Sequence, residues 1–407
     1  MRLLVAFIAA ALISSPAAPI ASADAGPYIG DRYAGVVKSA SFGDFFPKTK
    51  LGAISLMGGS YWPELEVRPG VWDFNLLDQK VENARRHGAK PMLVLGFSPR
   101  FHSTRPHAAD PRIHPPKMAA WRRYVRKVAN RYGSRLDYQV WPEPNIVQNW
   151  GGTPAQLAGL QRAAYQEIKR VTPKAVVGGP AVVVRLPGQR EWMRKFYSAR
   201  PAGQRVGRFL DFIPLDPYPM ESGTPEDSMK LIQAARRIAR EAGGVRKPVW
   251  SVEINYGIPS GGPSGRRQFT NTKQISYVLR TYALSPAYGV RRVYWLGWGH
   301  YPTFGISLTR PDGVTPSPAG RAWARGRTWM LGYRHEGCKR ASTGVWTCTL
   351  VGAKETRRIM WRPGKARYVK APARAFMLHR GTGSAAKVRP GQSVKITGMP
   401  TLFRSRR

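Results

Sequence analysis

Hydrophobic and polar positions follow two different spacings along this chain. In several segments apolar residues recur every three or four positions, which is typical of helices with one buried face. Short apolar runs such as KPMLVLGF, which starts at Lys90, lie between them and are typical of buried strands. The predicted helices cover Asn75 to His87, Met118 to Tyr132, 154 to 171, Pro225 to Ala242 and Gln274 to Ala283.

Eight strands are predicted in alternation with these helices. Strands that alternate with helices form parallel βαβ units, and eight units over about 300 residues favour a closed barrel over an open sheet. The predicted fold class is therefore α/β, a (β/α)8 TIM barrel over residues 24–333. The strands cover 34–39, 51–57, 90–97, 138–141, 175–179, 212–218, 249–254 and 292–298.

The pattern changes after residue 333. Segments such as TGVWTCTLV, ETRRIMW and QSVKITG alternate apolar and polar positions and are separated by Gly and Pro turns. We predict a small antiparallel, sandwich-like β domain over residues 334–407. Cys338 and Cys348 flank a hairpin-like stretch of this domain. Export would allow a disulfide between them, and two free buried thiols are the alternative.

The first 23 residues have the features of a secretory signal peptide. Arg2 precedes an apolar run from Leu3 to Ile13 that is too short to span a bilayer, and Ala21-Ser22-Ala23 fits a cleavage site. An uncleaved anchor is the alternative. Since no later segment is apolar enough to span a membrane, we expect a mature protein that is secreted or held in the cell envelope outside the cytoplasmic membrane.

The chain has 407 residues, of which 65 are basic and 23 acidic, for a formal net charge of +42. Its 43% hydrophobic content is too high for a disordered chain, and two cysteines exclude multi-cysteine metal sites. The basic residues are spread over every segment without a nucleic-acid-binding motif, so specific nucleic-acid recognition is not predicted. The charge predicts attraction to anionic envelope polymers, with drift in base composition as the alternative.

Two of the scarce acidic residues fall where barrel enzymes carry their chemistry, at the carboxyl ends of strands. Glu143 follows the fourth predicted strand in WPEPN, and Glu253 lies in the seventh, VWSVEINYG. Glycosidic bond cleavage requires two carboxyl groups that face one pocket, one protonated to assist the leaving oxygen and one ionised. We expect an apolar pocket wall to raise one pKa and leave the other low.

These motifs resemble those of the clan A retaining glycoside hydrolases, especially families 39 and 5. WPEPN resembles their WNEPN acid/base motif, WSVEINYG their nucleophile strand and DFIPLDPYP their sixth strand, within a likeness over about residues 34–330. The resemblance implies a cofactor-free glycosidase acting on a polysaccharide or glycoside, with Glu143 as acid/base and Glu253 as nucleophile. It implies that substrate is bound by Trp141, Asn145, Asp216, Tyr218, Trp295 and Trp298, with Tyr218 also contacting the nucleophile.

Three positions depart from the family pattern. Pro142 replaces the asparagine before the acid/base, Ser55 the arginine at the end of the second strand, and Asp216 the histidine before the sixth-strand tyrosine. Either the enzyme acts on an unusual sugar, such as a furanoside, or catalysis has been lost. The alternative function is therefore a non-catalytic surface carbohydrate-binding protein. A third hypothesis is a cationic binder of anionic polymer or nucleic acid, whose affinity would fall steeply with salt.

Structural roles remain open for the same residues. Glu143 could brace its loop through Asn145, Glu253 could pair with an arginine, and Asp216 could form a structural ion pair. At least one of the two tryptophans near the end of the eighth strand is expected to be core packing. No metal site is predicted, because the histidines do not repeat a metal-ligand spacing; those considered are His87, His102, His107 and His114.

Overall fold

The computed structural model describes residues 26–38, 49–259, 269–299 and 304–407. The predicted signal peptide and the last residue of the first predicted strand, Ser39, lie outside these ranges. Across the part of the chain that is described, no helix is long and apolar enough to cross a membrane.

The barrel strands are parallel, and each pairs with the next along the chain. The first strand also pairs with the last, with Ala34 opposite Val293. The predicted (β/α)8 fold is confirmed. The strands are Ala34–Lys38, Ala53–Leu56, Lys90–Leu95, Asp137–Val140, Val177–Gly178 with its continuation Val182–Val183, Ile213–Asp216, Val249–Ile254 and Val290–Leu296.

The fifth strand is interrupted, which the sequence pattern did not predict. Its first part pairs with the fourth strand and its second part with the sixth. Pro180 lies in the gap, where it has no N–H to donate to a sheet ladder. A single parallel bridge between Gly178 and Phe212 joins the two sides of the interruption and closes the barrel.

Helices follow most of the strands, and their ends carry clear sequence signals. The longer ones begin with caps such as Thr153, whose side chain accepts a hydrogen bond from the Gln156 N–H while Gln156 bonds back. Three helices were not predicted: Trp62–Leu65, which has only four residues, Pro187–Ser198, and Pro318–Met330, which contains two glycines. The described α-helices are Trp62–Leu65, Asn75–Arg86, Met118–Tyr132, Pro154–Val171, Pro187–Ser198, Pro225–Gly243, Asn271–Leu284 and Pro318–Met330.

The C-terminal residues form antiparallel sheets, as predicted. A two-stranded sheet, Arg367–Lys370 and Ser393–Ile396, shares a hydrophobic core with a six-stranded one. Cys338 and Cys348 lie opposite each other and form the predicted disulfide. The strands of the larger sheet are Arg334–Arg340, Trp346–Val351, Glu355–Trp361, Ala375–Arg380, Ala385–Lys387 and Thr401–Arg406.

The β domain packs against the barrel through specific polar contacts. Glu226, in the first turn of a barrel helix, accepts a 2.8 Å hydrogen bond from the indole N–H of Trp361 and pairs with Arg280. The amino-terminal segment also joins the β domain, since the N–H of His335 donates to the carbonyl oxygen of Pro27 at 2.9 Å. These contacts tie both ends of the described chain to one body.

Three charged side chains fill the amino end of the barrel, and we call this group the barrel floor: Lys90, Asp137 and Arg292. Asp137 is 1% exposed and lies 2.5 Å from the Arg292 guanidinium and 3.7 Å from the Lys90 amine. The guanidinium also stacks over the Trp250 ring at 3.7 Å. Every charge in the floor therefore has an opposite charge beside it.

Candidate active site

Three acidic side chains meet at the opposite, carboxyl end of the barrel. Glu143 follows the fourth strand, Asp216 ends the sixth, and Glu253 lies near the end of the seventh. One carboxylate oxygen of each lies within 4.8 Å of one oxygen of each of the others. We call these three residues the carboxylate cluster. The two glutamates singled out in the sequence are thus brought together by strands from different parts of the chain.

Glu253 is fixed by a tyrosine from the neighbouring strand. The Tyr218 hydroxyl donates a 2.7 Å hydrogen bond to Glu253 Oε2, as the family resemblance implied for these two positions. Burial and the charge of Glu143 raise the pKa of Glu253 to about 8, against the lowering effect of the Tyr218 hydrogen bond. Tyr218 itself is 6% exposed, so the bond is shielded from water.

Glu143 projects from a tight turn. Trp141 and Glu143 both adopt positive φ, 64° and 39°, and a proline follows each of them. Positive φ is unusual outside glycine and is often retained where function requires it. Burial raises the pKa of Glu143 to about 7, while the charge of Arg185 and a 3.4 Å hydrogen bond from the Asn149 amide act in the opposite direction.

Asp216 completes the cluster and is almost fully buried, at 1% exposure. Burial, followed by the charges of Glu253 and Glu143, raises the pKa of Asp216 well above the usual range. The sequence led us to expect one raised and one ordinary carboxyl pKa in this pocket. The structure instead raises all three pKa values, by burial at each group and also by the charges of neighbouring acids at Asp216 and Glu253.

Two predicted substrate contacts have structural partners instead. The Asn145 amide donates to the carbonyl oxygen of Val183 at 2.6 Å and accepts from the Val183 N–H at 3.3 Å, which ties the turn to the fifth strand. Trp141 is fully buried, and its indole N–H donates to the Asn149 carbonyl oxygen at 2.8 Å. Both residues therefore position the Glu143 turn, and their polar groups are occupied by the protein.

The two tryptophans near the end of the eighth strand are also buried. Trp295 is 0% and Trp298 3% exposed. The indole N–H of each lacks a hydrogen-bond partner among the described residues. Buried indoles usually find a partner, so these two N–H groups are available to a ligand only if the surrounding side chains move.

Two residues that the sequence analysis did not identify, Tyr61 and Arg185, also act on the carboxylate cluster. The pKa of the Tyr61 hydroxyl is raised by burial and by the charges of Glu253, Glu64 and Glu143, so this group lies within electrostatic range of both cluster glutamates. Arg185 acts on Glu143, and its Nε is buried without a partner among the described residues. Tyr61 follows the second barrel strand and Arg185 the fifth. Their positions after strand ends are the sequence signal that could have identified them as site residues.

Among the described residues, two groups of three side chains are close enough together to hold a metal ion. In the group His335, Cys338 and Cys348 the two cysteines are joined in the disulfide, so they offer no thiolate to a metal. The other group is the carboxylate cluster. Asp216 is buried, the two glutamates are half-buried, and all three pKa values are raised, which favours protons over a cation at these oxygens.

The fold is shared with solved glycoside hydrolases. A family 39 glycoside hydrolase from Bacteroides cellulosilyticus WH2 superposes with a TM-score of 0.71 at 18% identity, covering 93% of this chain and 83% of that one. A family 39 β-xylosidase from Caulobacter crescentus gives a TM-score of 0.65 at 15% identity, with 94% and 98% covered. An α-L-arabinofuranosidase from Thermotoga maritima gives 0.63 at 10% identity, with 93% and 97% covered. No protein-family model and no curated sequence matches the chain.

Proposed function

We propose that this chain is an exported glycoside hydrolase that cleaves O-glycosidic bonds by a retaining double displacement. The observation that carries the proposal is the close approach of Glu143 and Glu253, whose oxygens lie within 4.8 Å. Retaining glycosidases hold their two carboxyl groups about 5–5.5 Å apart, whereas inverting enzymes leave about 6.5–9.5 Å for a water molecule. The shared fold of solved glycoside hydrolases supports the same conclusion.

Each glutamate then has a defined step. Glu253 attacks the anomeric carbon and forms an ester bond to the sugar, while the bond to the leaving oxygen breaks and Glu143 donates its proton to that oxygen. In the second step Glu143 takes a proton from water, the water oxygen bonds to the anomeric carbon, and Glu253 leaves as a carboxylate. The Tyr218 hydrogen bond to Glu253 Oε2 favours the charged form that both steps require.

We propose an envelope or environmental polysaccharide as the substrate, with a sugar that the usual site does not accept. Pro142 and Ser55 supply neither the amide nor the guanidinium of the family pattern, which removes two hydrogen-bond donors to a sugar. A furanoside, or a sugar without an accessible 2-hydroxyl, would need fewer such donors.

A glycan panel tests the proposal directly. The mature protein and its Glu143→Gln/Glu253→Gln double variant are incubated with arabinan, galactan, xylan, mannan and related polymers, and released sugars are scored by mass. Proton NMR during the first turnovers reports the anomeric configuration. Release by the parent alone, with retention, is the expected result. Inversion would contradict the assignment of Glu253 as nucleophile.

A carbohydrate-binding protein without catalysis is the second candidate. It is favoured by the raised pKa of Glu253, because a protonated carboxyl group cannot attack the anomeric carbon. Calorimetric glycan binding by a folded parent that releases no sugar at any pH between 5 and 8 would select this candidate.

We also propose that the protein associates with anionic envelope polymers through a groove on the β domain. This groove has a volume of about 890 Å³ and contains no acidic residue in its lining, whose basic residues are Arg374, Lys387, Arg389, Arg406 and Arg407. None of these five side chains pairs with a carboxylate among the described residues. The guanidinium of Arg406 instead lies 5.9 Å from the Phe376 ring, which also lines the groove.

A charge-matched comparison separates the groove from the overall charge of the protein. One variant replaces four of the five groove cations, Arg374, Lys387, Arg389 and Arg406, by alanine. Its control replaces Arg86, Arg123, Lys174 and Arg237, which are also exposed and lie outside the groove. Retention on immobilised polygalacturonate and polyphosphate is measured against salt. Weaker retention and a flatter salt slope in the groove variant alone are expected. Equal losses in both variants would show that only net charge matters.

A further inference from the structure

The residue that departs most sharply from the family pattern lies at the centre of the site. Asp216 is 1% exposed and has a carboxyl oxygen within 4.8 Å of oxygens of both Glu143 and Glu253. Its Oδ1 atom is buried without a hydrogen-bond partner among the described residues. We propose that Asp216 remains an uncharged carboxylic acid in the resting protein and acts as a positioning residue that leaves the negative charge of the cluster to the two glutamates.

The surroundings of Asp216 give an ionised carboxylate almost no support. The groups that act on it are Glu253, Glu143 and the backbone N–H of Glu253, and only the last favours a charge. Tyr218, two positions further on, commits its hydroxyl to Glu253. No lysine or arginine among the described residues forms an ion pair with any member of the cluster, and Arg185 influences only Glu143.

The protons of the cluster can therefore be counted. Three carboxyl groups so close together resist being charged at the same time, because each charge repels the other two. Asp216 is the most buried of the three, and neither Tyr218 nor Asn149 hydrogen-bonds to it, so Asp216 keeps its proton. The Tyr218 bond supports a charge on Glu253 and the Asn149 bond a charge on Glu143, and the proposed reaction requires the state in which Glu253 is charged and Glu143 protonated.

This distribution gives Asp216 a role that an ionised aspartate could not fill. If Asp216 were charged, its repulsion would hold a proton on Glu253 and remove the nucleophile of the proposed reaction. A neutral Asp216 leaves Glu253 free to ionise while Glu143 keeps the proton that it must donate. Asp216 therefore replaces a histidine, which can be neutral, by a carboxylic acid that can also be neutral. The replacement does not imply that catalysis has been lost.

The charge state of Asp216 can be measured without any substrate. The mature protein is labelled with carbon-13 at aspartate side-chain carboxyls only, so that Glu143 and Glu253 give no signal. Carbon NMR spectra are then recorded from pH 5 to 9. The Asp216→Asn variant identifies the Asp216 signal by its loss. We expect a signal with the chemical shift of a neutral carboxylic acid at pH 7.

An exposed aspartate provides the matched control. A hydrogen bond from the Thr315 side chain and two from backbone N–H groups, at 2.9 and 2.8 Å, lower the pKa of Asp312. The signal lost in Asp312→Asn should be that of an ionised carboxylate at every pH tested. An Asp216 signal that is already ionised at pH 6 would overturn the proposal. A signal that moves on addition of calcium or magnesium would also overturn it and identify a cation site.

Kinetics then test the consequence for the reaction, and this part rests on the proposed function. Asp216→Asn keeps a neutral group of the same shape, so kcat/KM should stay within about tenfold of the parent, whereas Asp216→Ala should lose more than about a hundredfold. Equal losses in both folded variants would show that the ionised form is required. If no glycan is cleaved, the proposed function fails while the NMR result still decides the charge of Asp216.

Discussion

The two ends of the barrel treat buried acids in opposite ways. At the barrel floor Asp137 lies between Arg292 and Lys90, so its charge is matched on two sides. In the carboxylate cluster three acids lie together, and none forms an ion pair among the described residues. Both groups are built on the same parallel strands and are separated only by the length of the barrel.

This difference separates stability from function. Charges that are buried in pairs hold strands together, and removing one partner leaves the other unsatisfied. Acids that are buried beside acids raise one another's pKa and store protons, which is what proton transfer at neutral pH requires. Substitutions at the two ends should therefore have opposite effects on folding.

The largest expected effect is at the cluster. Replacing Glu253 by Gln should lower turnover by a factor on the order of 10⁴, because no carboxylate is left to attack the anomeric carbon. The same change should raise the free energy of unfolding at neutral pH, since Gln does not have to take up a proton on folding as Glu253 does. Steady-state rates on a cleaved glycan and urea denaturation of the same preparation measure the two effects. A loss of stability would break the comparison.

The stability gain of Glu253→Gln should depend on pH in a known direction. The pKa of Glu253 is raised to about 8 in the folded protein, so the parent loses stability as pH rises from about 4.5 towards 8, while Gln does not titrate. The gain should be small at pH 5 and on the order of 3 kcal/mol at pH 8. A gain that is independent of pH would contradict the raised pKa.

At the barrel floor the expected effect has the opposite sign. Replacing Asp137 by Asn should lower the free energy of unfolding by about 3–5 kcal/mol, because Arg292 would remain buried without its counter-charge. Guanidinium denaturation at pH 7 checks this value. Turnover per folded molecule should be unchanged, because the floor lies at the end of the barrel away from the cluster.

Glu355 in the β domain extends the comparison to a third region. Burial raises its pKa, but hydrogen bonds from Arg404, Tyr333 and Arg357 outweigh burial and lower the pKa to about 2. Its stabilisation is therefore present above about pH 4.5 and is lost as pH falls towards 2. Glu355→Gln should destabilise by about 3 kcal/mol at pH 7 and much less at pH 2.5, as urea denaturation at the two pH values will show.

The smallest effect is expected for an exposed ion pair. Glu191 and Arg194 lie 3.5 Å apart with side chains 53% and 47% exposed. Water and salt screen such a pair, so Glu191→Gln should change the free energy of unfolding by less than about 1 kcal/mol. A larger loss of stability would mean that burial does not explain why ion pairs of the barrel floor stabilise the protein more than exposed ones.

The sequence predicted the barrel and the two glutamates because both depend on local pattern. Strand spacing fixes the order of βαβ units, and the carboxyl ends of parallel strands must meet, so the pattern alone is enough to pair Glu143 with Glu253. The roles of Asn145 and Trp141 could not be predicted in this way. Both are decided by hydrogen bonds to backbone groups whose positions depend on the folded turn.

The barrel floor was also beyond the reach of the sequence. Asp137 and Arg292 are 155 positions apart, and no spacing rule connects them. The interruption of the fifth strand was missed because each of its two parts has only two residues. The helix Pro187–Ser198 was missed although it has as many residues as the predicted helix Asn75–Arg86. These features depend on packing between segments that are far apart in the sequence, and the local pattern of apolar residues does not reveal such packing.

The contacts of the amino-terminal segment constrain how this protein folds. The Tyr33 hydroxyl donates to the Tyr282 carbonyl oxygen, 249 positions further along the chain, and Pro27 bonds to His335 in the first strand of the β domain. Contacts between such distant residues slow folding, because a long loop must close before they form. During synthesis the first barrel strand cannot pair with its partner, Val290–Leu296, until most of the chain has been made. The barrel of the nascent polypeptide therefore closes late.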